Sequence, residues 1–245
     1  MPNEESDTMA GWRVQLQGND LYLQALKEIL LHYDPTIIQD SSAFYLTSKD
    51  WDQFEEVGQV RDQAKHVIGL LDRAVYLHSG NTAPIEIVHI VRIDDEGRMQ
   101  KIFVEAQLTS RWSVMVTVTV QQQRLIIRSL RVSTEHSSVA DALRFFHKGD
   151  WISLYKAFEI VRDEVDGEES IIRQNWLTKK SIRRFRQTAQ SREALGDDAR
   201  HASREDSPPK KPMSTREATA TIGELLKKWI DTLGIESPPA NSGGG

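Results

Sequence analysis

The chain has 245 residues, of which 39% are hydrophobic and 27% are charged, and its formal net charge is −5 at pH 7. This composition is that of an ordinary globular protein, long enough for one large domain or two small ones. The acidic balance excludes a general attraction to nucleic acids or membranes, although local patches can still bind either. The chain has no cysteine, which excludes disulfides and thiolate metal sites.

The start of the chain and its hydropathy bear on its location. Residues 1–7 are polar and acidic, the opposite of a signal peptide. No apolar run approaches the roughly 18 residues needed to span a membrane. We therefore expect a cytoplasmic protein without membrane association, with residues 1–10 disordered.

Residues 11–134 are predicted to form an α+β domain. Trp12–Gln17 alternates between apolar and polar residues, which is typical of a half-buried strand, and Asp20 is a suitable cap for a following helix. The other elements predicted before residue 80 are two short strands at 36–38 and 43–47 and a long helix at 51–77.

From Pro84 onward the apolar period changes from 3.6 to 2. The pattern predicts four consecutive strands, at 85–93, 99–108, 112–120 and 124–132. A short polar stretch at 94–98 is typical of a hairpin loop. An antiparallel meander of four strands with one covered face is the simplest arrangement.

Residues 135–235 are predicted to form an all-α domain, and residues 236–245 a disordered tail. The predicted helices lie near 138–148, 151–165, 170–177, 181–195 and 215–233. The last begins at Ser214-Thr215-Arg216-Glu217, which has the capping-box spacing, and ends at Gly234. The predicted fold class is therefore α+β: a mostly antiparallel sheet with two helices, followed by an all-α domain.

Charge is unevenly distributed along the helical half. Residues 150–169 contain seven acids and two bases, whereas residues 179–192 contain six bases and no acid. A basic helix that also carries Phe185 could bind RNA or DNA phosphates. The alternative is that the acidic and basic helices pack as neighbours and neutralise one another. The predicted nucleic-acid contacts are Lys179, Lys180, Arg183, Arg184 and Arg186.

Two short pieces of the helical half contain candidate catalytic residues. Tyr155 and Glu159 share one helical face and could hold an arginine for catalysis, or form a buried structural network. Further along, His201 is suited to acid–base chemistry, and Arg200 to holding a phosphate. The alternative is that Arg200 pairs with the acidic helix and His201 is a capping or core residue.

A Tyr-x-x-x-Glu helix, a basic helix, an Arg-His element and a long closing helix together resemble the higher-eukaryote-and-prokaryote nucleotide-binding (HEPN) superfamily. The resemblance covers residues 138–235 and rests on this layout. It implies a small helical domain, often dimeric, of a kind that in many members is a bacterial defence or toxin ribonuclease. Other members lack catalytic residues and act as binding or dimerising modules.

The chain departs from this family at its catalytic motif, an Arg separated from a His by four to six residues. Around His201 the spacing is absent, because Arg200 is adjacent and Arg192 is too distant. The spacing does occur at Arg61–His66, at 73–78 and at 131–136, which chance can supply in a chain with seven histidines. The resemblance therefore supports a helical module more than a nuclease.

No metal, cofactor or nucleophile motif is present, so we predict no metal site and no cofactor. The first functional hypothesis is an intracellular bacterial interaction or regulatory module with a non-catalytic HEPN-like domain. A protein partner or self-association as a dimer is expected, with RNA as a possible partner, and the contact surface would lie on the last two helices. The alternatives are a metal-independent HEPN-type ribonuclease and passive nucleic-acid binding through residues 179–192.

Overall fold

The computed structural model of the chain describes residues 10–103, 118–196 and 209–233. These residues form five strands, nine helices and one 3-10 turn. The chain divides into two compact units, Met1–Ile127 and Arg128–Gly245. The first contains an antiparallel sheet with helices and the second is helical, so the predicted α+β class is confirmed.

The elements up to the division between the units mix strands and helices. In chain order they are β1 (Gly11–Gln17), α1 (Asp20–Ile29), β2 (Thr36–Asp40), β3 (Ala43–Thr47), the 3-10 turn (Lys49–Gln53), α2 (Val57–Ser79), β4 (Glu86–Ile93), β5 (Met99–Phe103) and α3 (Val120–Glu135). The division falls inside α3, a few residues before the predicted boundary near residue 134.

The first strand lies at the centre of the sheet, whose order is β2-β3-β1-β4-β5 with every neighbouring pair antiparallel. The hairpin β2–β3 flanks it on one side and the hairpin β4–β5 on the other. The second hairpin turns where it was predicted: the Asp94 amide donates to the carbonyl of Arg98 at 3.1 Å. Gly97 adopts the left-handed backbone, φ +75°, that such a turn requires.

One face of the sheet is covered, as the alternation in the first strand predicted. Trp12, Val14 and Leu16 are buried, and the residues between them are half-exposed. Helix α2 packs against β1 and β4. The Tyr22 hydroxyl on α1 donates to a carboxylate oxygen of Asp72 on α2 at 3.0 Å, which ties the two helices together.

The cap of α1 is Asn19, whose side chain accepts from the Tyr22 amide at 3.0 Å. The predicted cap, Asp20, is instead the first residue of the helix.

The predicted four-stranded meander is wrong at its last strand, because residues 124–132 belong to helix α3. Ile126 and Leu130 are four apart and both buried, which fits a helical period as well as an alternating one. The deciding signal lies upstream, in a capping box. The Thr119 hydroxyl accepts from the Gln122 amide at 3.2 Å, and the Gln122 side chain accepts from the Thr119 amide at 2.9 Å. Of the predicted strands at 99–108 and 112–120, residues 104–117 lie outside the described residues.

In the described residues, the second unit contains the end of α3 and six further helices. They are α4 (Ser137–Lys148), α5 (Trp151–Glu164), α6 (Glu168–Arg173), α7 (Lys179–Gln190), α8 (Arg192–Leu195) and α9 (Thr215–Leu233). The single helix predicted at 181–195 is interrupted at Ser191. The predicted capping box of α9 is confirmed, since Ser214 and Glu217 each accept from the other's amide, at 3.2 and 2.9 Å.

Helix α5 is central in this unit, because it packs against α4, α7 and α9. Phe185 of α7 fills the middle of the α5–α7 contact. Its ring centroid lies 5.6–5.9 Å from those of three aromatic residues of α5: Trp151, Tyr155 and Phe158. The five tryptophans in the described residues are all buried.

Candidate nucleic-acid interface

The candidate catalytic residues are divided between described and undescribed parts of the chain. Arg200 and His201 lie outside the described residues. Tyr155 and Glu159 lie on α5, where Tyr155 is only 1% exposed and Glu159 is half-exposed. Tyr155 therefore belongs to the core, which agrees with the structural alternative considered for it.

Tyr155 contacts an arginine, and that arginine comes from the basic helix. Its hydroxyl accepts from the Gln190 side chain at 3.3 Å and is also hydrogen-bonded to Arg186. The Arg186 guanidinium donates to Glu168 at 2.7 Å. Burial alone would lower the pKa of Arg186, but the hydrogen bond to Tyr155 and the charge of Glu168 outweigh it and raise that pKa. Arg186 is thus a fixed, permanently charged group that links α5, α6 and α7.

Glu159 forms an ion pair with a residue of its own helix. One of its carboxylate oxygens lies 3.8 Å from Arg162, one turn further along α5, and the same arginine lies 2.8 Å from Asp163. Acids of α5 are therefore paired along their own helix. Among the described ion pairs, Glu168–Arg186 is the one that joins the acidic run to the basic helix. Mutual neutralisation of the two runs is thus limited to that pair within the described part of the chain.

Arg184 is engaged on the opposite side of α7. Its guanidinium donates to the carbonyls of Lys211 and Pro212, at 2.8 and 3.0 Å, and to Glu217 at 3.1 Å. Glu217 also completes the capping box of α9 with Ser214. Arg184 therefore holds the segment that leads into α9 against α7, and its side chain has little capacity left for a ligand.

The interactions of Glu217 with Ser214 and Arg184 make the stability of the native state depend on pH in the acid range. The Ser214 amide, and after it the Arg184 guanidinium, lower the pKa of Glu217 from 4.5 to about 2. A carboxyl whose pKa is lowered on folding stabilises the native state above its ordinary pKa, and this contribution is lost as pH falls from about 4.5 to 2. We expect acid unfolding of the native protein to be steeper in this window than that of Glu217→Gln. Circular dichroism between pH 6 and 2 measures it, and parallel acid curves for the two proteins would contradict it.

Three of the five cations on α7 remain: Lys179, Lys180 and Arg183. All three are exposed, and within the described ranges none has an ion-pair or hydrogen-bond partner for its charged group. Lys179 and Arg183 are four residues apart and share a face of the helix, and Lys180 lies beside them. These three residues, named the α7 cation patch below, form a positive surface at the first two turns of α7.

A groove of about 610 Å³ adjoins the patch. Trp176, Lys179 and Glu224 are among the residues that line it. Lys228, also in its wall, donates to the carbonyls of Asn175 and Trp176 at 3.2 and 3.0 Å and pairs with Glu224 at 2.7 Å. Of the two lysines at this groove, Lys179 is therefore the one whose charge is available to a ligand.

The predicted role of Phe185 beside a nucleic acid is not possible in this fold. Its side chain is 1% exposed and stacked within the core. The exposed surface of α7 therefore offers charge without an aromatic ring on which a base could stack. What this surface can do chemically is bind anions by charge.

Other kinds of site find no support in the described residues. No group of three or more His, Asp or Glu side chains there could hold a metal ion. Among the described helices, none combines the length and the apolar character that a membrane span requires. Arg61 and His66, which have the family spacing, are both exposed on α2.

Comparison with known proteins adds no assignment. No protein-family model matches this chain, and no curated protein and no solved structure matches it significantly.

Proposed function

We propose that this chain is a non-catalytic interaction module whose helical unit binds the phosphate backbone of a nucleic acid through the α7 cation patch. The observation that carries the proposal is the division of charge on α7. Arg184 and Arg186 are held by Glu217 and Glu168, whereas Lys179, Lys180 and Arg183 are exposed without partners in the described residues.

The character of the surface favours a polyanion over an apolar protein partner. The large hydrophobic residues that are exposed in the described chain are Leu21, Leu31, Met99, Val120 and Ile152, and none of them lies on α7 or α9. The last two helices, where a protein contact was expected, therefore present charged groups instead of an apolar patch. Cations that contact phosphates bind without reading sequence, so the expected binding is non-specific.

The expected affinity is weak. Non-specific binding at physiological salt has dissociation constants of about 10⁻⁴–10⁻⁶ M. The net charge of −5 adds long-range repulsion, which salt screens, while the direct contacts weaken as salt rises. The module would therefore bind where nucleic acid is concentrated or where a second contact adds to the first.

The test is fluorescence anisotropy with a labelled 20-nucleotide RNA at several salt concentrations. Replacing Lys179, Lys180 and Arg183 together with alanine is expected to weaken binding at least about tenfold. It should also reduce the slope of log K against log salt by about 2, since each phosphate contact in a single strand contributes about 0.7. A triple variant of Lys49, Lys65 and Arg216 changes net charge equally and serves as the matched control. Equal affinities for the two triple variants would contradict the proposal.

The same RNA, incubated with a chelator, tests the ribonuclease alternative. That hypothesis assigns acid–base chemistry to His201 and phosphate binding to Arg200, with Tyr155 and Glu159 in support. Cleavage by the native protein that is abolished in the Arg200→Ala, His201→Ala double variant would replace the non-catalytic proposal. Binding without cleavage by either protein is the result we expect.

A further inference from the structure

A second cationic cluster lies in the helical unit, on different residues from those of α7. The ring of Phe145 on α4 has three cations around it. The Arg144 guanidinium lies 4.4 Å from the ring centroid, the Lys156 ammonium 5.2 Å and the Lys148 ammonium 5.7 Å. Two of these side chains come from α4 and the third from α5, so the helix packing brings them together. The four residues are named the Phe145 cluster below.

The local carboxylates balance only part of this charge. Arg144 pairs with Asp141 at 2.9 Å. Lys148 is the last residue of α4, where the free carbonyls of a helix C-terminus attract a cation. Asp150 is near Lys148, but its carboxylate caps α5 by accepting from the Ser153 amide at 2.8 Å. A local interaction therefore accounts for the position of each of these two cations: the ion pair with Asp141 for Arg144, and the helix C-terminus for Lys148.

No comparable local interaction accounts for the position of Lys156. It is exposed on the second turn of α5, and no acid pairs with it within the described residues. A phenyl ring attracts a cation over its face, but a ring has only two faces and cannot offset the mutual repulsion of three positive charges within 5.7 Å of its centre. The positive charge that Asp141 and Asp150 leave uncompensated around this ring is what a compact, multiply charged anion would neutralise.

We propose that the Phe145 cluster binds a multiply charged phosphate group, such as a phosphate monoester or a pyrophosphate, beside Arg144, Lys148 and Lys156. Arg144 supplies a planar guanidinium, two of whose nitrogens already donate to Asp141, and the two lysines supply mobile point charges, a combination suited to phosphate oxygens. A nucleic-acid strand fits this cluster less well, because its phosphates are singly charged and the ring face on which a base would stack is already covered by cations.

The experiment is a titration of the full-length protein with inorganic pyrophosphate, followed by amide chemical shifts at constant ionic strength. We expect saturable shifts at residues 141–156 of the native protein, and binding at least about tenfold weaker for Lys156→Ala. Dimethyl phosphate has one charge and should bind far more weakly. The alanine variant of the α7 cation patch should bind pyrophosphate as the native protein does, which separates this proposal from the proposed function.

Three results would overturn the inference. One is equal binding of pyrophosphate by the native protein and Lys156→Ala when both have the same melting temperature. Another is equal binding of dimethyl phosphate and pyrophosphate. The third is association with phosphatidylserine vesicles that depends on Lys156 while pyrophosphate causes no shift, which would assign the cluster and the exposed Ile152 one turn before Lys156 to a membrane surface.

Discussion

Replacement of Phe185 with alanine is expected to destabilise the helical unit by about 3–5 kcal/mol. The ring is 1% exposed and lies within 5.9 Å, centroid to centroid, of Trp151, Tyr155 and Phe158. Removing it leaves a cavity between α5 and α7, because structure around a deleted core side chain relaxes only partially. Because the chain has two units, the quantity to measure is local: hydrogen exchange of the α5 and α7 amides.

The matched control is Ile152→Ala on α5, which removes a large apolar side chain that is 43% exposed. We expect this control to change the free energy of unfolding by no more than about 0.5 kcal/mol. The prediction fails if α5 and α7 exchange at native rates in Phe185→Ala. The prediction also connects the core to the proposed function, because the α7 cation patch lies on the helix that Phe185 anchors. Nucleic-acid binding by Phe185→Ala should therefore decrease in proportion to the unfolded fraction of α7.

Where the sequence marks a helix by local chemistry, the fold was predictable. Ser214 and Glu217 define the start of α9 within four residues of chain, and their reciprocal bonds are present. The same motif is present at Thr119 and Gln122, but the alternating pattern of the residues that follow predicts a strand instead of a helix. Spacings of two and of four coincide at Ile126 and Leu130, so periodicity alone does not separate the two structures there.

The sequence predicted that the candidate site is rich in basic residues, but it did not predict which of these residues are free to bind a ligand. A run of bases without acids identifies α7 as a positive helix. Partners that are distant in sequence determine which of its charges are available to a ligand. Glu217 is 33 residues from Arg184, and Glu168 is 18 residues from Arg186. Burial of Phe185 is likewise a consequence of how α7 packs on α5. A single sequence does not contain this information, because it arises only when the helices pack.

The Phe145 cluster could likewise be predicted only in part from the sequence. Arg144 and Lys148 are local neighbours of Phe145 on α4 and were visible in the sequence. Lys156 joins them because the turn at residues 149 and 150 brings α5 back against α4. Gly149 permits this turn by adopting a left-handed backbone, φ +72°, at the end of α4. The convergence of three cations on one ring is therefore a property of the packed pair of helices.

Alkaline pH is expected to destabilise the sheet-containing unit through Tyr22. Burial, together with the charge and hydrogen bond of Asp72, raises the pKa of Tyr22 above its ordinary value of about 10. The native state therefore keeps the phenolic proton at a pH where the unfolded chain loses it. The contribution of this group is complete below pH 10 and is lost as pH rises above it, at about 1.4 kcal/mol for each further pH unit.

The variant Tyr22→Phe separates the hydroxyl from the ring. At neutral pH we expect it to be less stable than the native protein by about 1 kcal/mol, because the hydrogen bond to Asp72 is lost. Above pH 10 it should lose stability less steeply, so the difference should shrink and then reverse at about pH 11. Urea unfolding from pH 7 to 11.5 measures both effects. Tyr45→Phe, which removes a hydroxyl from a half-exposed residue on β3, is the matched control. A constant difference between native protein and Tyr22→Phe across this range would show that the buried tyrosine does not control alkaline stability.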